Sequence, residues 1–486
     1  FRQGEAAEQL RRGTYEITVA STAQTTPAQP AGYQFTPTRQ VIDLVAHKAD
    51  VDFVGTPMYA ITLPAGLSFV TVPVRTDVTD FRAAFGATTP VARWDATVAD
   101  PDARWITNSM TTHPNFDILN LAPGRGYWIR PAAPITKYVP GSEIAGVGFD
   151  LQLNAGWTMV GNPFQVALPW KSLAVAPGGA VADYGFIWDR AAGEYRVVAD
   201  VGIVGFRETI PVGAGFWMYS STARQVLANP PVATAAASGS SLQLSDGDFV
   251  VPLRATAAGF SDGCAGVGVI RSAARLPGGG QLVNPPVADS PVDLYLLGSD
   301  GTQLSYDLRT ASVGAQTWEF EVSCAVADVP VTVSLPDLSM VPTDQQVTLL
   351  DTVTGKRMYA RTVSQYVYQS DADGPRRFQL EIAPREVGAL AISAATANAQ
   401  PGGPVTLSYS LSQNAAVGIT VINISGRTVR QLASDKAGTA GLNSETWDLM
   451  GAHGTMVPAG RYLITIVATT DSGQQARSVV PVHVNR

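Results

Sequence analysis

One segment of the chain occurs twice. Ile61–Pro73 lies over Leu151–Pro163 at a constant offset of 90, with Leu63/Leu153, Ala65/Ala155, Gly66/Gly156, Val70/Val160 and Pro73/Pro163 identical. Each copy runs on to a Trp-Asp pair, Trp94-Asp95 and Trp188-Asp189, and closes on Gly-x-Gly followed by two aromatics, Gly124–Trp128 and Gly213–Trp217. From the proline to the closing tryptophan is 55 residues in one copy and 54 in the other. Such agreement in order, type and spacing marks a duplicated structural unit. The opening run alternates, with Leu67 and Phe69 on one face and Ser68 on the other, which is the periodicity of a strand. The Gly-x-Gly suits a bulge or tight turn that carries a large side chain into a core. Each copy therefore reads as a small antiparallel β unit. Trp94, Trp128, Trp188 and Trp217 read as core residues, each burying about 150–250 Å²; a sugar-stacking platform is the alternative. Trp105 and Trp170 stand in polar or proline-containing surroundings, and they are the candidates for stacking on a glycan.

The second copy, Gly156-Trp157-Thr-Met159-Val160-Gly-Asn162-Pro163 with Gly213-Ala-Gly215-Phe216-Trp217, resembles a repeat common in large secreted bacterial proteins. The first copy departs from it by having Leu67 in place of the tryptophan. The resemblance covers residues 60–228 and implies secretion and a β-sandwich-like fold, without implying an activity.

Length and composition agree. At roughly 100–200 residues per domain, 486 residues make about three or four domains. Only 15% of residues are charged, where about 25% is usual, and 46 Gly and 33 Pro are spread along the chain. Short elements joined by many turns follow, and a coiled coil, a long helical bundle and a collagen are excluded. Lys and Arg number 33 against 40 Asp and Glu, a net charge of −7, which leaves no excess to attract phosphates and argues against nucleic acid as a partner. The longest uncharged stretch is broken by Pro401, Gly402, Gly403 and Pro404, so it reads as no membrane span. Phe1–Arg12 is polar and charged and does not read as a signal peptide, so a mature exported chain is expected.

Around the repeat the chain divides into further segments. Residues 1–55 carry two strand-like runs, Tyr15–Val19 and Val41–Val45, separated by the polar segment Thr22–Thr38. Two strands alone are marginal in water, so this segment requires a later domain, a neighbouring subunit or an upstream domain, and it is a candidate donor strand. The repeat units are placed at 56–145 and 146–229. Residues 230–241, of small residues and proline, form a linker. Residues 242–386 hold short apolar runs at near-regular spacing, Leu242–Leu244, Phe249–Leu253, Val267–Ile270, Asp293–Leu297, Trp318–Val322, Val329–Leu335, Val347–Leu350 and Phe378–Ile382, which read as a β-sandwich. Cys264 and Cys324, the two cysteines, both fall in this segment and are expected to pair as a disulfide in an exported β-protein; buried thiols are the alternative.

Residues 387–486 follow a recognisable order: Val405–Leu411, then Gly418–Ile424 with Gly426 and Arg427, then Thr446-Trp447-Asp448, then Pro458-Ala-Gly460-Arg-Tyr462. This order resembles the flagellar hook-capping Ig-like module, which also terminates many exported bacterial proteins and sometimes serves as a sorting signal. The segment departs from the pattern at Leu449-Met450, where the family usually has Gly and a polar residue, and the basic end of sorting versions is reduced to Arg486. Trp447 and Tyr462 read as core aromatics. The whole chain is expected to be all-β, with tandem β-sandwich and Ig-like domains in a linear array.

Chemistry-bearing motifs are sparse. Gly259-Phe-Ser261-Asp-Gly263 satisfies G-x-S-x-G, but the esterase elbow needs strand, turn and helix, and β-like runs flank it here. Asp246 with Asp248, and Asp371 with Asp373, can each offer oxygens to Ca²⁺, yet neither continues as an EF-hand loop, and solvated turns are the plainer reading. His47, His113, His453 and His483 lack zinc-site company. Asn423-Ile-Ser425 is a glycosylation sequon within a strand-like run. No catalytic residue, metal site or cofactor is expected. The expected function is that of a non-catalytic extracellular structural protein, a subunit of a bacterial filament, appendage or surface layer, or an adhesive stalk. Its expected partners are further copies or other surface proteins. The alternative is the carboxy-terminal, glycan-binding and sorting portion of a larger secreted hydrolase, with polysaccharide as partner.

Overall fold

The computed structural model describes residues 13–18, 33–36, 39–44 and 54–485, apart from breaks at 111–115, 204, 231–246, 272–275, 287–289, 311–313, 372–373, 386–387, 401–402 and 472. The fold is all-β. Two compact bodies form, residues 1–191 with 196–240, and residues 192–195 with 241–486.

In the first body, Gly13–Thr18 and Arg39–Leu44 pair antiparallel, Gly13 opposite Leu44 and Thr18 opposite Arg39. A further strand, Tyr33–Thr36, lies inside the segment read as merely polar and pairs with Val54–Leu63, which also pairs with Ile135–Pro140. Beyond these, the duplicated segments build the same sheet twice. Across one sheet the order is Ser68–Val70, Tyr127–Ile129, Val91–Trp94, Trp105–Thr107; across the other it is Gly156–Gly161, Gly215–Ser220, Val181–Asp189, Glu194–Ala199. In each, the opening strand sits beside the closing one, since the aromatic run after Gly-x-Gly returns antiparallel to it. Each sheet covers its own apolar cluster: Val72, Phe81, Phe85, Val91 and Tyr127 in the first, Phe164, Leu168, Trp170, Phe216 and Met218 in the second. The expected two-faced opening strand is buried throughout: Ser68, Phe69 and Val70 are all buried, because Val70, on the face of Ser68, packs into the unit's own cluster while Phe69, on the other face, meets Trp217 of the second copy.

In the second body, the described residues between Phe249 and Pro384 form an eleven-stranded sheet, ten strands in one hydrogen-bonded path with Gln281–Val283 branching from Gln303–Arg309, that curls around a single core of Leu253, Val267, Leu294, Trp318, Phe320, Phe378 and Leu380. Phe249–Ala257 alternates buried and half-buried residues along its whole length, as a strand with one face on a core must. The path ends on one side at Arg357–Tyr359 and on the other at Gln365–Gln369. The Ig-like segment is a seven-stranded sandwich. Ile392–Ala399, Val405–Leu411 and Gly441–Trp447 make one sheet, and Thr428–Gly438, Ala415–Asn423, Gly460–Thr469 and Gln475–Val484 make the other. Trp447 and Tyr462 meet in its core with ring centroids 5.3 Å apart. The Trp447 indole donates to Met450 O at 3.0 Å, and the Tyr462 hydroxyl to Pro458 O at 2.8 Å. Leu449, at the point of departure from the family pattern, holds φ +63°, a conformation that favours glycine, while its side chain is buried in the core. The two sandwiches are tied by Tyr359, whose hydroxyl donates to Gly438 O at 2.7 Å, and by an Arg385–Asp471 ion pair at 2.9 Å.

The expected disulfide is absent. Cys264 is buried on Phe260–Val269, and Cys324 ends Gln316–Cys324 with its thiol donating to Val326 O at 3.2 Å. Their strands are not neighbours: Val292–Leu297 and Gln303–Arg309 lie between them in the sheet order.

Candidate functional site

The densest concentration of unusual side chains lies where the two copies meet. Val70 forms an antiparallel bridge with Ala214, and Val160 forms one with Arg125. Val70 and Val160 are equivalent in the repeat, as are Ala214 and Arg125, so each copy's opening strand pairs with the Gly-x-Gly of the other. Hydrogen bonds repeat the exchange: Thr71 N–H donates to Gly213 O at 2.9 Å, and Gly161 N–H to Gly124 O at 2.8 Å. The arrangement is an internal two-fold in which one chain supplies both halves.

The glycines have two jobs there. Gly124 and Gly213 turn the chain with φ +74° and +70°. Gly126 and Gly215 allow the close approach itself. A Cβ on Gly126 would stand 2.5 Å from Val160 O, and one on Gly215 would stand 2.5 Å from Phe69 Cδ2 and 3.1 Å from Val70 O. The expected turn is therefore present, and the second glycine serves backbone contact between copies. Near the two-fold the equivalent positions Thr71 and Gly161 face each other. A Cβ on Gly161 would lie 2.2 Å from Thr71 Cβ, so the threonine fills the space that glycine leaves. The difference between the copies is thus complementary.

Aromatic rings complete the seam. Trp217 meets Trp94 edge-on at 6.4 Å, and Trp128 meets Trp188 edge-on at 5.2 Å, each at an interplanar angle of 83°. These are equivalent pairs, each joining the closing tryptophan of one copy to the Trp-Asp tryptophan of the other. Phe69 stacks on Trp128 at 4.6 Å and leans on Trp217 at 5.7 Å. Arg93, 5% exposed, donates through Nε to Gly126 O at 2.8 Å and through Nη2 to Met159 O at 2.9 Å, one carbonyl from each copy. Burial lowers its guanidinium pKa to about 10. These contacts make the site a structural clasp. Nothing in the alternation pointed to Arg93, whose only signal was its place before the Trp-Asp pair.

The two proposed glycan platforms fare differently. Trp170 is 3% exposed, packed beside Phe216, with its ring 2.9 Å from where a Cβ on Gly185 would be; it has no face to offer. Its proline-containing surroundings are a short helical turn that folds the ring inward. Trp105 is half-buried, edge-on to Trp94 at 5.2 Å and to Trp217 at 6.1 Å, so it extends the clasp. The structure does not bring the two tryptophans together as a platform.

In the second body Ser261 lies in a β-hairpin, not a strand–helix elbow. Ala258 and Gly259, at φ +50° and +82°, make the turn, and the Arg254 guanidinium donates to Ser261 Oγ at 2.9 Å. Asp351 is fully buried, accepting from Arg376 Nη2 at 2.7 Å, Tyr366 OH at 2.7 Å and Thr354 Oγ1 at 2.7 Å. Burial alone would raise its pKa, but Arg376, Tyr366 and Thr354 bring it down to about 2. Asp262 accepts from the N–H groups of Leu294 and Cys264, at 2.8 and 3.2 Å, and faces Asp293. Burial, then the charge of Asp262, pushes Asp293 up to about 7. This carboxyl pair had no signature in the sequence, because its members lie on separate strands. Asp248 accepts from Arg271 N–H at 3.0 Å, and His453 and His483 are exposed. Asn423 uses its side-chain oxygen to accept from Ser425 and Arg427 N–H, shaping the turn at Gly426. Among the described residues no cluster of three or more His, Cys, Asp or Glu is placed to hold a metal, and no helix is long and apolar enough to cross a membrane. The linker from 231 onward, Leu242–Leu244, His47, His113, Asp246 and Asp373 lie outside the described residues.

Residues 393–472 match the FlgD Ig-like domain family. The carboxy-terminal module is a FlgD-type Ig-like domain. No curated protein matches the chain. Among solved structures it is similar to dimeric latent PorU from Porphyromonas gingivalis, at 10% identity and TM-score 0.17, over 49% of this chain and 30% of that one. It is also similar to a Ca²⁺-stabilized adhesin with which an Antarctic bacterium binds ice, at 13% identity and TM-score 0.12, over 87% of this chain and all of that one. A tetra-tandem repeat from the extending region of a large adhesion protein gives 10% identity and TM-score 0.15, over 87% and 100%. The chain thus spans under a third of the PorU chain that it matches.

Proposed function

We propose that this chain is a non-catalytic structural protein of the bacterial cell exterior, a subunit of a surface assembly or an adhesive stalk. The observation that carries the reading is the fate of the repeat's aromatic residues. Trp94, Trp105, Trp128, Trp188 and Trp217 are engaged in clasping one copy to the other, ring against ring. The match of residues 393–472 to the FlgD Ig-like domain family supports an exported setting. Low charge supports assembly as well, because uncharged polar faces lose less to desolvation than charged ones when they are buried against a neighbour. The glycan-binding alternative is weakened by the burial of Trp170. Fractionation of the producing cells, with antibody against the chain, tests the reading. Recovery with the surface or extracellular fraction in large complexes is expected, and recovery as a cytoplasmic monomer would overturn it.

A further inference from the structure

The large sheet of the second body ends in a strand whose sequence is a palindrome. Ser364-Gln365-Tyr366-Val367-Tyr368-Gln369-Ser370 reads the same in both directions, and it contains no charge, glycine or proline. Its strand, Gln365–Gln369, pairs on one side with Pro330–Ser334; among the described residues no strand pairs with its other side. The opposite end of the same sheet, Arg357–Tyr359, is covered by the Ig-like domain through Tyr359. Natural edge strands are usually blunted by lysine, proline or a bulge. This one has none of these.

The direction of its main-chain groups follows from the ladder. Leu335 N–H donates to Ser364 O, and Ser370 N–H donates to Val329 O, both on the register that sets Thr332 opposite Val367. In an antiparallel ladder bonded and non-bonded pairs alternate. Residues 364, 366, 368 and 370 therefore bond inward, which leaves the N–H and C=O of Gln365, Val367 and Gln369 facing outward. Pro330, which has no N–H, lies opposite Gln369, at a position where none is needed. Tyr366 is buried, and Tyr368 half-buried, while Gln365, Val367 and Gln369 are exposed, Val367 at 52%.

The geometry points to a second copy of this chain as the partner of that edge, paired antiparallel about a two-fold axis at Val367. Val367 then exchanges two hydrogen bonds with its own counterpart, and Gln365 and Gln369 of each copy exchange two more at either end. Every outward main-chain group is satisfied. The palindrome places glutamine opposite glutamine and tyrosine opposite tyrosine, and it leaves no charge opposed within the strand; Asp371, just beyond it, falls opposite Val363 of the other copy. A short edge contact of this kind belongs to the small, reversible class of interfaces. It supplies one isologous contact, and it rests on the reading of the chain as an assembly subunit.

The test is sedimentation velocity of the full chain over a concentration series, with Val367→Lys and Val367→Glu beside the wild type. Like charges directly opposite each other destabilise a strand pair, so each variant should weaken dimerisation on the order of tenfold or more, with melting and near-ultraviolet circular dichroism unchanged because Val367 is exposed. An equimolar mixture of the two variants should dimerise again. A wild type that associates while both variants associate equally well would overturn the edge contact and leave the assembly reading standing. A mixture that stays monomeric would refute the two-fold register. A wild type that stays monomeric throughout would overturn the contact itself, and large native complexes in cell fractions would then show that the broader reading survives on other surfaces.

Discussion

Replacing Gly126 with alanine tests the clasp at its tightest point. The new Cβ would lie 2.5 Å from Val160 O and 2.8 Å from Phe69 Cε2, so it needs about 0.9 Å more room to reach ordinary contact. The ring can rotate, but the carbonyl belongs to a strand held by its bridge to Arg125 and by the bond from Gly161 to Gly124. Overpacking of a tight core costs typically 1–3 kcal/mol, and loss of one or two of these backbone hydrogen bonds adds about 1 kcal/mol each. A destabilisation of about 3 kcal/mol follows, confined to the first body. Seven of the nine tryptophans, Trp94 to Trp217, belong to that body, so tryptophan fluorescence in a urea titration reports it selectively. With a slope of about 2–3 kcal/mol per molar, the midpoint should fall by roughly 1 M or more. Gly418→Ala, on a strand of the Ig-like domain with its nearest atom 4.0 Å away, is the matched control and should leave that midpoint where it was. A Gly126→Ala protein melting with the wild-type midpoint would refute the reasoning, because the glycine would then have no role in close approach.

Other consequences concern the second body. The pKa of Asp351 is lowered from 3.8 to about 2, so its contribution is present above the unfolded value and is lost as pH falls from about 4 to about 2; that is about 2 kcal/mol, and Asp351→Asn should flatten the acid limb of a pH–stability curve. Asp293 has the opposite sign. Its raised pKa favours the protonated folded form, so stability should decline as pH rises from about 4 through about 7, and Asp293→Asn should reduce that slope in thermal melts, the remainder coming from Asp262, which burial also raises. Tyr359→Phe deletes the hydrogen bond to Gly438 O and should cost about 1–3 kcal/mol, since a buried carbonyl loses its partner; an unchanged melt of the second body would show that the two sandwiches do not depend on it.

The architecture was legible where periodicity and punctuation carry the signal. The repeat offset, the alternation of Phe249–Ala257 and the Trp447/Tyr462 order each report local geometry, which neighbouring residues encode directly. The strand Gln303–Arg309 was missed because Ser305 and Asp307, both buried, break the apolar run; Asp307 is paired with Arg309 at 2.8 Å. The clasp was half visible. Gly-x-Gly announced a special backbone, but the contact it permits is with a strand far away in sequence, so a local reading could supply only a turn. Trp170 misled for a related reason, since polar neighbours do not show which way a ring turns when a glycine as distant as Gly185 makes room for it. The Asp262–Asp293 pair and the outward groups of Gln365–Gln369 depend on strand register, which becomes readable only when the sheet is assembled.

Electron microscopy of the native material from the cell exterior distinguishes an assembly subunit from a monomeric appendage of an enzyme. Ordered assemblies in which 51.1 kDa subunits recur at a fixed spacing are expected. Dispersed single particles, with the chain attached to a hydrolase domain and no repeating contact between copies, would contradict that expectation.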